Sequence, residues 1–146
     1  MSDYIIYTDG GSRGNPGPAA IGFVIEDGRG RALKEYGETI GKATNNIAEY
    51  KALVLALKKL KAIIGGEKAA KAEVEVRADS ELLMKQLNGE YKLKDAGLMP
   101  LFIEIWNIKQ DFKDIVFVHV PREENRIADR MVNDALDGKG DQASLI

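Results

Sequence analysis

The sequence is organised around one stretch, Tyr4-Ile-Ile-Tyr-Thr-Asp-Gly-Gly-Ser-Arg-Gly-Asn-Pro-Gly-Pro18. An apolar run rich in aromatic and β-branched residues ends at Asp9, and the glycines that follow predict a turn. Because side chains alternate along a strand, Ile5 and Tyr7 share a face with Asp9, in line with residues expected to be buried. Aspartate is seldom buried unless it is paired or binds a metal. The stretch therefore predicts a strand that ends in a functional carboxylate.

The composition limits what such a carboxylate can do. The chain has 146 residues, no cysteine and one histidine, which excludes disulfides, thiolate metal sites and multi-histidine zinc sites. Any metal must be held mainly by oxygen, which favours magnesium, manganese or calcium. The net charge of −2 does not indicate binding to nucleic acid by charge alone, although carboxylates reserved for a metal would mask a basic surface.

No apolar run approaches the length of a membrane span, and the N-terminus lacks a secretion signal. We therefore expect no membrane partner and a cytoplasmic, intracellular protein.

Hydrophobic periodicity predicts an α/β fold with five strands and four main helices. The strands are expected at 4–9, 19–26, 32–40, 73–78 and 115–120, and the helices at 44–64, at 80–87, within 97–112 and after 125. The first three strands form an antiparallel meander, and right-handed crossovers place the last two parallel to the first. The prediction is a five-stranded mixed β-sheet flanked by α-helices, in a single domain over 1–146 with a loose tail at 138–146.

The fourth strand does not fit a fully covered central position. Its apolar residues occupy one face only, whereas central parallel strands usually have two apolar faces. Either one face of this strand is thinly covered or the strand is short.

Four acidic residues interrupt the local patterns: Asp9, Glu49, Asp79 and Asp129. Two end neighbouring strands and two lie in the first turns of helices that should pack on the sheet. If they meet, each like-charged pair costs about 3 kcal/mol at 5 Å and an effective dielectric near 20. Protonation or binding of a divalent cation would relieve this repulsion.

Taken singly, each acid has a simpler interpretation. Asp9 is typical of a turn, Glu49 of a helix start, Asp79 of an N-cap and Asp129 of a solvated ion pair. Four such interruptions that the topology brings to one sheet edge favour a metal site.

The motifs around these acids resemble the type 1 ribonuclease H family, cellular or retroviral-like. They are Thr8-Asp-Gly-Gly-Ser-Arg-Gly-Asn-Pro-Gly17, Thr44-Asn-Asn-Ile-Ala-Glu49, Ala78-Asp-Ser80 and Pro121-Arg-Glu-Glu-Asn-Arg-Ile-Ala-Asp129. The resemblance implies the RNase H-like fold and an endonuclease that cuts the RNA strand of an RNA–DNA hybrid, leaving 5′-phosphate and 3′-hydroxyl ends. The four acids would bind two Mg²⁺ or Mn²⁺ ions that act on the scissile phosphate.

The same resemblance assigns substrate contacts. Gly10, Gly11 and Ser12 would contact the RNA strand near its 2′-hydroxyl groups, which distinguish RNA from DNA. A second group would contact the minor groove or the backbone; its members are Asn15, Thr44, Asn45 and Asn46. Helix capping is the alternative interpretation for the two adjacent asparagines.

The family's auxiliary histidine has two candidates here. His119 lies at the family's spacing, ten residues before Asp129, but the flexible glycine-rich loop is absent and Pro121 follows a strand. His119 is therefore either the auxiliary residue or an ordinary strand residue. Arg122, seven residues before Asp129, is the substitute for the auxiliary role.

We expect no separate hybrid-binding domain, and the segment 88–100 is short and only mildly basic. We expect weak, salt-sensitive binding to the RNA–DNA hybrid by a monomer without an obligate protein partner. Two alternatives remain: a non-catalytic nucleic-acid-binding module, and another metal-dependent nuclease of the same fold, such as a resolvase.

Overall fold

The computed structural model describes residues 2–139 and contains one five-stranded sheet in the order β3-β2-β1-β4-β5. The strands are β1 (Tyr4–Ser12), β2 (Gly17–Asp27), β3 (Ala32–Ala43), β4 (Glu73–Ala78) and β5 (Asp114–His119). Strands β1 to β3 are antiparallel neighbours, and β4 and β5 run parallel to β1. The predicted mixed sheet and its topology are confirmed.

The helices are α1 (Asn45–Ile64), α2 (Gly66–Ala69), α3 (Glu81–Leu87), α4 (Met99–Lys109) and α5 (Arg126–Leu136), with a 3₁₀ turn at Arg122–Glu124. The short helix α2 lies where the sequence predicted an irregular connector. No helix among residues 2–139 combines the length and the apolar character needed to cross a membrane. The expected loose tail, 138–146, lies outside the described residues from position 140 onward.

Strand β1 is longer than predicted, and the turn lies further along the chain. The three residues after Asp9 still pair with β2, as far as the pair between Ser12 and Ala19. The glycines at positions 10 and 11 are therefore strand residues, and the turn occupies 13–16. The prediction of a turn directly after Asp9 is wrong, because the absence of a side chain at Gly10 admits the backbone of the helix at Ala48 and does not serve a turn.

Helix α1 forms the centre of the core on one face of the sheet. Its start is capped by Thr44, whose Oγ1 accepts a hydrogen bond from the Ile47 amide at 3.2 Å. Its buried side chains pack against the apolar side of the sheet, including Ile6 and Phe23. A Cβ at Gly10 would lie 2.3 Å from the carbonyl carbon of Ala48, so only glycine allows this helix to lie so close to β1.

Helix α5 packs on the opposite face of the sheet. A Cβ at Gly22 would lie 2.5 Å from the Ala128 oxygen, and a Cβ at Gly37 would lie 2.6 Å from the Met131 oxygen. Because Gly22 pairs with Asp9, the neighbour of Gly10, alternation places α1 and α5 on different faces. The Asp9 side chain lies on the α5 face, where Ile5 and Tyr7 are only half-buried; the enclosed face of β1 carries Tyr4, Ile6 and Thr8 instead.

The fourth strand is both short and polar on one face. Its six residues alternate between buried and half-buried. On the half-buried face, Arg77 forms an ion pair with Glu75 and donates a hydrogen bond to the Tyr7 hydroxyl at 2.7 Å. A side-chain network therefore satisfies the charges that an apolar cover would have left unpaired.

Candidate active site

The four predicted acids meet at one edge of the sheet. Asp9 lies within β1, Asp79 follows β4 directly, Glu49 is the fifth residue of α1 and Asp129 is in the first turn of α5. One oxygen from each of Asp9, Glu49 and Asp79 lies within 4.8 Å of the others. Asp129 shares a hydrogen bond with Asp9, and all four residues line the same cleft. Residues up to 120 positions apart in the sequence are therefore brought into one group.

Burial and mutual repulsion strongly disfavour the charged forms of the two inner acids. Burial is the main cause that raises the pKa of Asp9 from 3.8 to about 8, and the charges of Asp79 and Asp129 add to it. Burial also raises the pKa of Glu49 well above its ordinary value, again with repulsion from Asp9 and Asp79. The carboxyl groups of Asp9 and Glu49 share a hydrogen bond. In the absence of a cation, the raised pKa values favour the protonated forms of Asp9 and Glu49.

This donor set fits a hard divalent cation. All the converging groups are carboxylates, so the ligand atoms are oxygen, which Mg²⁺, Mn²⁺ and Ca²⁺ prefer. Three of them converge within 4.8 Å, close enough to share one ion. A bound cation would also reverse the cause of the raised pKa values, because it favours the ionised carboxylates.

The backbone of β1 holds the inner pair in place. The amide of Gly10 donates a hydrogen bond to Oε1 of Glu49, so the residue after Asp9 orients the carboxylate from α1. Since α1 contacts β1 without an intervening side chain at this point, the distance between Asp9 and Glu49 is set by backbone packing.

Asn125 connects the outer helix to the same strand. It is 1% exposed, and its Nδ2 donates a hydrogen bond to the carbonyl of Thr8 at 2.8 Å. The backbone carbonyl of Asn125 accepts a hydrogen bond from the amide of Asp129 at 3.1 Å. One side chain therefore fixes the start of α5, and with it Asp129, to the residue before Asp9.

The two candidates for the auxiliary role occupy different places. Arg122 lines the cleft, and its Nη2 lies 3.9 Å from Oδ1 of Asp129. His119 is the last residue of β5, is exposed, and does not line the cleft.

The predicted substrate residues form a rim beside the acids, and hydrogen bonds hold parts of this rim in place. Gly10, Gly11, Ser12 and Asn45 line the cleft. The Ser12 amide donates to Oδ1 of Asn45 at 2.8 Å, and the Asn45 amide donates to Oδ1 of Asn15 at 3.0 Å.

Thr44 and Asn46 lie at the same corner but outside the cleft lining. Thr44 caps α1, and Asn46 is exposed in its first turn.

Sequence reasoning missed two residues of this site, Arg13 and Asn125. Arg13 lines the cleft and pairs with Asp137 at 2.7 Å, and Asn125 makes the buried contact with Thr8. An asparagine directly before a helix predicts an N-cap, but the Asn125 side chain makes no capping hydrogen bond and reaches β1 instead. For Arg13, the available signal was a cation next to predicted substrate contacts.

Comparisons with known proteins find relatives that match most of this chain. The family model described as "Reverse transcriptase-like" matches residues 7–135. The ribonuclease HI of Halobacterium salinarum is 44% identical over 131 residues, which cover 90% of this chain and 63% of that protein. The chain therefore spans less than two thirds of the length of that relative, and only 37% of a bifunctional protein of Mycobacterium tuberculosis that is 38% identical.

Solved structures of similar chains are matched over almost their whole length. LC11-RNase H1 in complex with an RNA/DNA hybrid is 50% identical, with a TM-score of 0.87 over 93% of this chain and 98% of that chain. RNase H1 from the halophilic archaeon Halobacterium salinarum is 41% identical, with a TM-score of 0.85 over 92% of this chain and 98% of that chain.

Proposed function

Because the chain belongs to the reverse transcriptase-like family, and within it to the type 1 ribonucleases H, we propose that it is an endonuclease that hydrolyses the RNA strand of RNA–DNA hybrids. The observation that carries the proposal is the convergence of Asp9, Glu49 and Asp79 within 4.8 Å, with Asp129 on the same cleft. A site that only bound nucleic acid would gain nothing from carboxylates facing phosphates, so this convergence favours catalysis over a binding module.

The family is metal-dependent, and we propose Mg²⁺ or Mn²⁺, two ions during catalysis, held by Asp9, Glu49, Asp79 and Asp129. When bound, such ions activate a water molecule for in-line attack on the phosphodiester and stabilise the leaving ribose 3′-oxygen. The products are then a 5′-phosphate and a 3′-hydroxyl end.

The chain's own residues bind and orient the hybrid. Gly10, Gly11 and Ser12 present backbone close to the cleft, which suits contact with the RNA strand at its 2′-hydroxyl groups. Asn45 is held by its hydrogen bond with Ser12, so this part of the rim is formed before substrate arrives. The exposed Asn15 and Asn46, together with Thr44, extend the same surface towards the minor groove.

Arg122 takes the auxiliary role in this proposal, and His119 is the alternative. The Arg122 guanidinium lies at the mouth of the cleft, where a cation can stabilise the charge that develops on the phosphate.

The remaining parts of the proposal concern the protein in the cell. We propose a monomer that needs no protein partner and acts in the cytoplasm.

The test is incubation of a hybrid labelled on its RNA strand with and without Mg²⁺ or Mn²⁺, beside RNA–RNA and DNA–DNA duplexes. We expect internal cuts in the RNA of the hybrid, only with metal, with 5′-phosphate ends. Cleavage of the DNA duplex in preference to the hybrid would favour the resolvase-like alternative. Binding to the hybrid without cleavage under any metal would favour the binding module.

A further inference from the structure

Among the residues that the structure describes, two arginines line the cleft, Arg13 and Arg122. The proposed function assigns a role only to Arg122. Arg122 pairs with Asp129 in the first turn of α5, whereas Arg13 pairs with Asp137, which follows the last residue of the same helix. At 1.5 Å per residue, the two aspartates, which are eight positions apart, are separated by about 12 Å along the helix axis. One strand of a duplex carries a phosphate about every 3.4 Å along the axis, so the two arginines would meet different phosphates.

The backbone of Arg13 is fixed before any ligand binds. Its amide donates to the Pro18 carbonyl at 2.8 Å, which closes the loop between β1 and β2. Its carbonyl lies 2.2 Å from where a Cβ at Gly17 would stand, so the two arms of the loop touch. On one side, Ser12 is held by Asn45. Only the Arg13 side chain has to become ordered when a ligand binds, which lowers the entropic cost of binding.

The ion pair with Asp137 orients the guanidinium and leaves several of its N–H donors available. The contact joins Nη1 to Oδ1 at 2.7 Å, and both side chains remain about half exposed. Such a pair contributes little to stability, because water screens both charges. A guanidinium has five N–H donors in a planar fork, so it can keep one carboxylate and still bind a phosphate.

The negative charge of the cleft explains why a cationic side chain there would favour substrate binding. Four acidic residues line the cleft, and each one that is ionised and not neutralised by a cation repels an approaching phosphate. On the basis of the proposed function, we propose that Arg13 is a substrate-binding residue that contacts a backbone phosphate of the hybrid, away from the scissile bond. Asp137 then acts as a positioning residue that holds the guanidinium over the cleft.

The experiment measures binding and turnover separately for Arg13→Ala. A labelled 20-base-pair RNA–DNA hybrid is titrated in EDTA, where a metal-dependent nuclease does not cut, at a series of salt concentrations. We expect Kd to rise about tenfold and the slope of log Kd against log salt to fall by about 0.9, as for one lost phosphate contact. With Mg²⁺, KM should rise by a similar factor while kcat changes less than about twofold, because the contact lies away from the reacting atoms.

The matched control is Arg31→Ala. Arg31 also forms an exposed pair with an aspartate, Asp27 at 3.0 Å, and that pair lies at the opposite end of β2 from the cleft. Arg31→Ala removes the same charge as Arg13→Ala. An equal loss of binding in both variants would mean that only net charge matters, and the proposal would be wrong. Arg13→Lys should recover part of the salt slope but not the full affinity, because lysine is a point charge.

The proposal for Arg13 and the proposed function fail in different ways. If the wild-type protein binds the hybrid but does not cut it, the function is wrong while the comparison of Kd still tests Arg13. If the wild-type protein cuts and Arg13→Ala matches it in Kd, KM and salt slope, Arg13 is not a phosphate contact. Asp137→Asn provides a further check, since its effect should be smaller than that of Arg13→Ala and should leave the salt slope unchanged.

Discussion

The carboxylate cluster has an inner and an outer half, and each half joins one helix residue to one residue that lies in a strand or directly follows one. The inner half is Asp9 with Glu49 of α1, which are 9% and 8% exposed. The outer half is half-buried Asp79 with Asp129 of α5, whose side chain is 33% exposed. The raised pKa values fall on the inner half, where burial is the main cause.

This difference follows from how the two helices are attached. Glu49 stands where α1 touches β1 without an intervening side chain, so its carboxylate is enclosed and receives the Gly10 amide. Asp129 stands at the start of a helix that Asn125 fixes to β1, and its carboxylate faces the cleft and Arg122. The inner half supplies two of the three converging oxygens and Asp79 supplies the third, so Asp129 is the one of the four acids outside that group.

Asp9→Asn should have the largest effect on activity. Asp9 is the residue that the other acids surround, and the amide removes both a charge and a metal ligand. We expect cleavage of the hybrid to fall by about a thousandfold or more, with the fold retained and the metal-free protein more stable than wild type because repulsion is removed. Cleavage activity and urea unfolding, measured on the same preparation, check the expected loss of activity and the expected gain in stability.

The comparison for that variant is Asp129→Asn, which should cost less activity because Asp129 is outside the group of three converging oxygens. Equal losses in the two variants would remove the distinction between the halves. Retained cleavage in Asp9→Asn would exclude Asp9 as a ligand.

The next effect in size is a dependence of stability on pH in the metal-free protein. Asp9 has an ordinary pKa of 3.8 and a folded-state pKa of about 8, so the folded protein holds more protons than the unfolded chain between these values. Its contribution to stability is complete below pH 3.8 and is lost as the pH rises through about 8. Glu49 shifts in the same direction.

Urea unfolding in EDTA from pH 5 to 8.5 should therefore show stability falling as the pH rises, and Asp9→Asn should flatten the curve. Saturating Mg²⁺ should oppose the fall, because the ionised carboxylates bind the cation and the folded state gains its binding free energy. A metal-free protein that becomes more stable between pH 5 and 8 would contradict the enclosure of the inner pair.

The topology and the positions of the four acids were predictable from the sequence, because both depend on local periodicity. Alternation located the strands, helical spacing located α1 and α5, and Glu49 and Asp129 interrupted apolar patterns. The course of β1 beyond Asp9 was not predictable, because a glycine that admits a helix backbone looks in sequence like a glycine that makes a turn. The contact of Asn125 with Thr8 spans 117 positions and leaves no local signal.

Gly10→Ala tests the backbone contact that encloses Glu49. The new Cβ would lie 2.3 Å from the Ala48 carbonyl carbon, and backbone atoms cannot rotate away as a flexible side chain can. We expect a loss of about 1–3 kcal/mol in the free energy of unfolding, together with reduced cleavage, because α1 and Glu49 must move away from Asp9.

The matched control for Gly10→Ala is the neighbouring Gly11→Ala. A Cβ at position 11 would meet nothing closer than 3.8 Å, so unfolding should be almost unchanged. Equal destabilisation by the two variants would show that general strand effects, and not the contact with α1, decide the outcome.

The smallest effect concerns the outer half and compares Arg122→Ala with His119→Ala. Arg122 lines the cleft beside Asp129, whereas His119 ends β5 outside the cleft lining. We expect kcat to fall about tenfold in Arg122→Ala, as for loss of one charged hydrogen bond to the reacting phosphate, and less than about twofold in His119→Ala. Steady-state rates at saturating hybrid measure this difference without a contribution from weaker binding. If the order is reversed, the histidine has the auxiliary role despite its position. The substrate must then extend beyond the cleft lining to contact His119.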